Sequence, residues 1–292
     1  MSKPLELKDC TSREQFSKLF VRHVEALASR RRKVDVFRDF LAMASYSISN
    51  SMMFNADHEA KYMEIAGRYD KEGCDGFAHL LAITVEAMES CRDDFLGHVY
   101  MSQEMGISEA GQFFTPTCVA DMMGQMTIGQ DLKGLIESSG RSYITVNDPA
   151  CGGGVQLIGA YKAAIAQGVN PSTQLCFYAE DIDTTCVFMT YVQLSLLGVP
   201  ALVSHRNTIS METWSQWRTP VWWLHGFEYR EQRRRHMGEA IEPTRVEPST
   251  EEDAPVVRVN LRRDRAVEQV PVVPVMCDVD LKQAKQAELF AM

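Results

Sequence analysis

The sequence predicts an α/β fold: the opening of a parallel, doubly wound sheet, preceded by a helical N-terminal region. Three observations carry this. Between residues 142 and 209, β-rich runs alternate with runs of helical periodicity. The first β-rich run ends on a glycine turn, DPACGGG (Asp148–Gly154), and residues 14–100 repeat apolar side chains at helical spacing.

The N-terminal elements come first. In FSKLFVRHVEALA, the residues Phe16, Leu19, Phe20, Val24 and Leu27 fall three and four apart, the stripe of an amphipathic helix. VDVFRDFLAMASYSISNSM, HEAKYMEIAGRY and GFAHLLAITVEAMESCRDDFLGHVYMSQEM continue in this style. FNAD and DKEGCDG separate them and carry the Asn, Asp and Gly of caps and turns. The Met and aromatic stripes read as helix-packing surface.

Past Gly111 the style changes. SYITVND (Ser142–Asp148) is a strand ending at the glycines, and GVQLIGAYKAAIAQG is the helix after it. LCFYAED (Leu175–Asp181) is a second buried strand, TTCVFMTYVQLSLLG a second helix and PALVSHRNTI (Pro200–Ile209) a third strand. Ligands bind such sheets at the carboxyl ends of the strands.

After Met211 the pattern weakens. WSQWRTPVWWLHGFEYR holds all four tryptophans, read first as core filler, then as a partner-binding patch, then as a base-stacking platform. GEAIEPTRVEPSTEEDAP is a polar linker; VVRVNL and VPVVPVM are short β-rich runs, and DLKQAKQAELFAM is a charged terminal helix. These shifts divide the chain into a helical N-terminal domain (1–110), an α/β cofactor-binding domain (111–228) and a polar linker with C-terminal extension (229–292).

Composition narrows the function classes. With 292 residues, 45% hydrophobic and 24% charged, the chain can bury a sizeable core, which excludes disorder throughout. The N-terminus has no secretory pattern and no apolar run reaches about 18 residues, so a cytoplasmic protein with no membrane contact is expected. Eight scattered cysteines without a CxxC pair predict reduced thiols and no metal. A net charge of −9 argues against a uniformly basic surface for nucleic acid, leaving SRRRK (Ser29–Lys33) and YREQRRRH (Tyr229–His236) as local basic runs, each first a solvated surface. Without HExxH or GxSxG, hydrolase chemistry has no support.

The glycine turn brings backbone N–H groups and a helix N-terminus to a ligand. It is not GxGxxG, lacks a phosphate-binding lysine, and carries Asp148 where a pyrophosphate would be repelled. A carboxylate there suits a cationic ammonium, which S-adenosylmethionine has. The second strand ends in AEDID (Ala179–Asp183), where an acid about 20 to 30 residues after the glycines accepts hydrogen bonds from ribose hydroxyls; Asp181 is preferred and Glu180 is second. RNTI places Asn207 to meet an adenine edge. Cys151 reads as a small packing residue rather than a nucleophile.

GQFFTPTCVADMM followed by NDPACGGGVQLI resembles the N6-adenine DNA methyltransferase family, in particular the modification subunits of type I restriction systems. That family's G-Q-F-[FY]-T-P segment precedes a D-P-[AT]-C-G-[TS]-G loop, as Gly111–Pro116 precede Asp148 here. DDFLGHVYMSQ resembles its preceding helix and FYAEDIDTTCVFMTYVQLSLLG its acidic second motif, so the likeness runs over residues 93–209. The resemblance implies a Rossmann-like S-adenosylmethionine-dependent methyltransferase sheet. Carried over by position, Phe114, Thr115 and Pro116 cover the methionine end of the cofactor. Asp148, Ala150, Gly152 and Gly154 form the loop around it, Asp181 holds the ribose, and Asn207 replaces the aspartate that faces the adenine amino group. Gly153 stands where the family has Thr or Ser.

One family feature is missing. Amino methyltransferases of this kind carry [DNS]-P-P-[FYW], whose polar groups hold the target amino group and whose aromatic stacks on the flipped base. The chain has no Pro-Pro dipeptide; RTPVWW (Arg218–Trp223) is the nearest substitute, so catalytic residues are unassigned. A full sheet of this class needs about seven strands, and the region after Ile209 supplies two doubtful ones. The resemblance implies methyl transfer to adenine in DNA. The alternative is a catalytically silent, regulatory or decoy subunit of a DNA-modification complex, and RNA or protein methylation is a third reading. DNA is the expected partner, with target recognition from the N-terminal region, the tail or another protein.

Overall fold

The structure, a computed structural model, describes residues 5–29, 31–103, 115–140 and 142–236. All lie in the first of two units, Met1–Met237; the second, Gly238–Met292, lies outside the described residues, and with it VVRVNL, VPVVPVM and the terminal helix candidate.

Four of the first five α-helices start at a side-chain cap. After a 3-10 turn at Leu7–Asp9, α1 (Arg13–Leu27) opens with a reciprocal capping box between Ser12 and Gln15. α2 spans Lys33–Met52. Asn55 caps α3 (Ala56–Ala66), Asp70 caps α4 (Lys71–Cys91) and Asp94 caps α5 (Phe95–Ser102). DKEGCDG is thus a cap followed directly by the first turns of a helix, because Asp70 accepts the Gly73 N–H and holds the turn. The helices lock through aromatic edges: Phe20 meets Phe37, Phe40 and Phe95 at centroid distances of 6.1, 5.3 and 5.7 Å. Three residues of the SRRRK run are taken up locally, with Arg31 over the Tyr69 ring, Arg32 on Asp35 and Lys33 on Glu25.

The second part runs α6 (Thr117–Ile128), α7 (Leu132–Ser138), β1 (Ile144–Asp148), α8 (Val155–Ala166), α9 (Pro171–Gln174), β2 (Leu175–Asp181), α10 (Thr184–Leu196), β3 (Ala201–Asn207), β4 (Glu212–Arg218), α11 (Pro220–Leu224) and α12 (Phe227–His236). The sheet order is β1-β2-β3-β4. The first three strands are parallel, in the register Asp148 to Ala179 and Asp181 to His205, whereas β4 returns antiparallel to β3. The result is an α/β fold on a mixed sheet.

β4 falls where the sequence pattern weakens. Its apolar side chains are two tryptophans three residues apart, which gives no two-residue alternation, and most of the strand is exposed. The turn before it is built by Asn207, whose Oδ1 accepts the N–H groups of Ile209 and Ser210, with Met211 at φ 64°.

α10 is the centre of the core. Every residue from Thr185 to Leu194 is buried, which a helix achieves only with protein on all sides. β2 and β3 lie against it, as do α2, α4 and α5. Trp217 joins this core against Tyr46, Phe188, Tyr191 and a stacked His58. A second cluster holds Tyr143, Cys176 and Leu202 against Trp222 and Phe227 of α11 and α12, and there Glu231 accepts from Tyr143 and Tyr178. Trp217 and Trp222 are therefore core, while Trp214 is 46% exposed beside His205. No described helix is long and apolar enough to cross a membrane.

Candidate functional site

The carboxyl ends of β1, β2 and β3 meet at the turn between β1 and α8. Asp148 ends β1, and its Oδ1 accepts the Ala150 N–H at 3.2 Å. Cys151 N–H donates to the Glu180 carbonyl at 2.9 Å, and Gly154 N–H to the Cys151 carbonyl at 2.7 Å. Gly152 donates to Asp181 Oδ2 at 2.9 Å. Gly152 and Gly154 have φ of 53° and 90°, a region closed to most side chains. A Cβ on Gly154 would also lie 3.0 Å from Thr190 Oγ1. The turn therefore stays narrow, with the start of α8 bare of any capping side chain.

Two carboxylates face this turn. Asp148 is 9% exposed, and its Oδ2 is buried with no hydrogen-bond partner. Burial raises its pKa above the ordinary aspartate value, the Ala150 N–H opposes this, and the Asp181 charge adds to it. Burial likewise raises Asp181, against the N–H groups of Asp183 and Gly152. An unpartnered buried carboxylate oxygen beside a second raised carboxylate is a place that favours a cation.

Strand alternation separates Asp181 from its neighbour. Glu180 points to the other face, where it pairs with Arg206 at 2.9 Å and takes Thr208 Oγ1 at 3.0 Å. Asn207 sits at the end of β3 with its side-chain carbonyl committed to the β3–β4 turn. Ala150 is exposed on the loop. Thr115 and Pro116 lead into α6, Pro116 as its N-cap residue, and Phe114 lies outside the described residues.

α6 is held on α8 by a close crossing. A Cβ on Gly124 would lie 2.3 Å from the Gly159 carbonyl carbon, and one on Gly159 2.4 Å from the Ala120 carbonyl oxygen. Only glycines allow that approach, so the segment after Pro116 is fixed beside the helix that begins at the glycine turn. A small cleft between α6, β1 and α8 is lined by Met123, Val146, Asp148 and Gln156.

Residues 92–224 match the family model described as N-6 DNA Methylase. The likeness to the N-6 DNA methylase family is carried by this segment, which is under half of the chain. Searches of curated proteins and of solved structures found no match. The matched segment takes in α5 to α11 whole, and so holds the glycine turn, Asp181, Asn207, Thr115 and Pro116. β4 also lies in it, running antiparallel at the sheet edge and carrying no proline.

Three residues that motif reading passes over contact the glycine turn or the end of β2. Thr190 and Gln193 of α10 donate to the Gly152 and Gly153 carbonyls, and Arg206 neutralises Glu180. The signal for the first two is present in TTCVFMTYVQLSLLG: polar side chains three apart inside an otherwise apolar helix.

Proposed function

We propose that this chain binds S-adenosylmethionine at the Asp148–Gly154 turn of a Rossmann-like sheet and serves methylation of adenine amino groups in DNA. The observation that carries the reading is the buried, unpartnered Oδ2 of Asp148 next to Asp181, at a glycine turn too narrow for side chains. The match of residues 92–224 to the N-6 DNA methylase family model supports it. The residues present fit the cofactor: Asp148 would take its ammonium group, Asp181 a ribose hydroxyl, and the backbone of Ala150, Gly152 and Gly154 its close approach. When bound, S-adenosylmethionine supplies a methyl group on a sulfonium centre. The part of the chain is to hold and orient, since in-line transfer depends on placement more than on proton transfer. Phe114, Thr115 and Pro116 would close the methionine end, and Asn207 would offer its side-chain NH2 toward the adenine.

A second reading is favoured by two observations. The sequence has no Pro-Pro dipeptide, and after β3 the described chain turns back as β4. In this reading the chain holds the cofactor as a regulatory or decoy subunit, and target recognition and the acceptor wall come from a protein partner.

Labelled S-adenosylmethionine separates the two. Binding together with labelled adenine in supplied DNA supports the first; binding with no methyl acceptance, in the presence of varied DNA, supports the second. If the cofactor does not bind, or binds equally to Asp181→Ala, both fail.

A further inference from the structure

We infer that Gln193, backed by Asp94, is a positioning residue that sets the shape of the glycine turn from the helical side of the molecule. The inference rests on the cofactor reading above for its consequence, and on geometry for its substance. Gln193 is wholly buried in the middle of α10. A buried amide is costly unless each polar atom finds a partner, and here each does. Nε2 donates to the Gly153 carbonyl at 2.7 Å and to Asp94 Oδ1 at 2.8 Å; Oε1 accepts the Leu96 N–H at 3.0 Å. Two acceptors on one side and a donor on the other fix which way the amide faces.

One helical turn earlier, Thr190 donates its hydroxyl to the Gly152 carbonyl at 2.8 Å. Two successive carbonyls of the turn are thus drawn to α10. Because a trans peptide sets the next N–H opposite each carbonyl, the Gly153 N–H is turned away from α10. Asp94 completes the device. It caps α5 through the Gly97 N–H at 2.9 Å, is buried, and lies where a side chain on Gly153 would come within 3.2 Å of its Oδ1. One amide therefore ties the start of α5, the glycine turn and α10 together. The glycine at 153 leaves the room that Asp94 occupies.

The test uses the full chain in three forms: wild type, Gln193→Met, and Asp94→Asn/Gln193→Glu. The first variant removes the amide at similar volume. The double variant reverses the bond between the two side chains and keeps an acceptor for Leu96, but at alkaline pH, where the introduced carboxyl is ionised, it leaves the Gly153 carbonyl without a donor. Hydrogen exchange across residues 151–155, S-adenosylmethionine affinity and the thermal midpoint are read on each. The expected result is faster exchange at the turn and affinity weaker by about tenfold in both variants, with the double variant closer to wild type in thermal midpoint. Recovery of protection and affinity together with stability in the double variant would overturn the inference, as would wild-type exchange in Gln193→Met. Should Gln193→Met fail to fold, the double variant decides. If wild type does not bind the cofactor while the variants still loosen the turn, the clamp stands and the cofactor reading falls.

Discussion

Asp181 Oδ2 accepts the Gly152 N–H at 2.9 Å, so the end of the second strand holds the glycine turn in place through a carboxylate. The same side chain, through Oδ1, takes the Asp183 N–H at 2.8 Å and shapes the start of α10. Removing it acts on loop and ligand at once. For Asp181→Ala, affinity for S-adenosylmethionine should fall about tenfold to a hundredfold, since a hydrogen bond to a charged group is worth about 1.5–3 kcal/mol. Asp181→Asn, which keeps an acceptor, should lose less. Calorimetric titration of the three proteins checks the order, and equal affinities would contradict it.

Glu180 provides the contrast. It is one residue away on the opposite face, paired with Arg206, and both side chains are 16% exposed. Glu180→Gln should leave cofactor affinity within about twofold while lowering unfolding stability by about 1–3 kcal/mol, between the values for exposed and buried pairs. Denaturant midpoints and titration on the same preparation distinguish the two effects.

Burial raises the pKa of both Asp148 and Asp181. The folded protein therefore binds more protons than the unfolded chain just above the ordinary carboxylate range, and these groups make stability fall as pH rises through that window. A cationic ligand reverses the preference by favouring the ionised pair. Affinity should accordingly be greatest near neutral pH and drop as pH is lowered through the raised values, with protons released on binding in that window. Titration in buffers of different ionisation enthalpy reads the release; proton uptake would contradict the assignment.

The crossing of α6 and α8 tolerates no side chain at Gly124, where a Cβ would fall 2.3 Å from backbone. Gly124→Val should cost about 1–3 kcal/mol or more through overpacking and weaken cofactor binding by moving the segment after Pro116. Met126 on the same helix is 74% exposed, and Met126→Ala should stay within about 0.5 kcal/mol. Thermal unfolding compares them.

The parts legible in the sequence are those written in local patterns. β2 spans Leu175–Asp181 as its continuous apolar run indicates, and the third strand is shorter than PALVSHRNTI because Asn207 starts a turn. Asp70 announced a cap, but not that two glycines would follow inside the helix. β4 was illegible because an edge strand with two tryptophans needs no alternation, only a neighbour to pair with. At the site, the glycine turn and its acids are contiguous motifs, and Asp181 could be preferred over Glu180 by position alone. The roles of Thr190, Gln193 and Asp94 depend on contacts across 38, 40 and 99 residues of chain, which no local reading contains.

β1 pairs on one side only among the described residues. In a doubly wound sheet the first strand is interior, and the ligand crevice opens between it and the strand that begins the other half. Among the described residues that crevice has one bank. Asp148 and Asp181 stand on it, and on the proposed reading an opposite bank, where a target base would be pressed into line, would meet the outer edge of Ile144–Asp148. On the proposed reading, cofactor capture and choice of target would be separable tasks, with the outer edge of a single strand as the border between them.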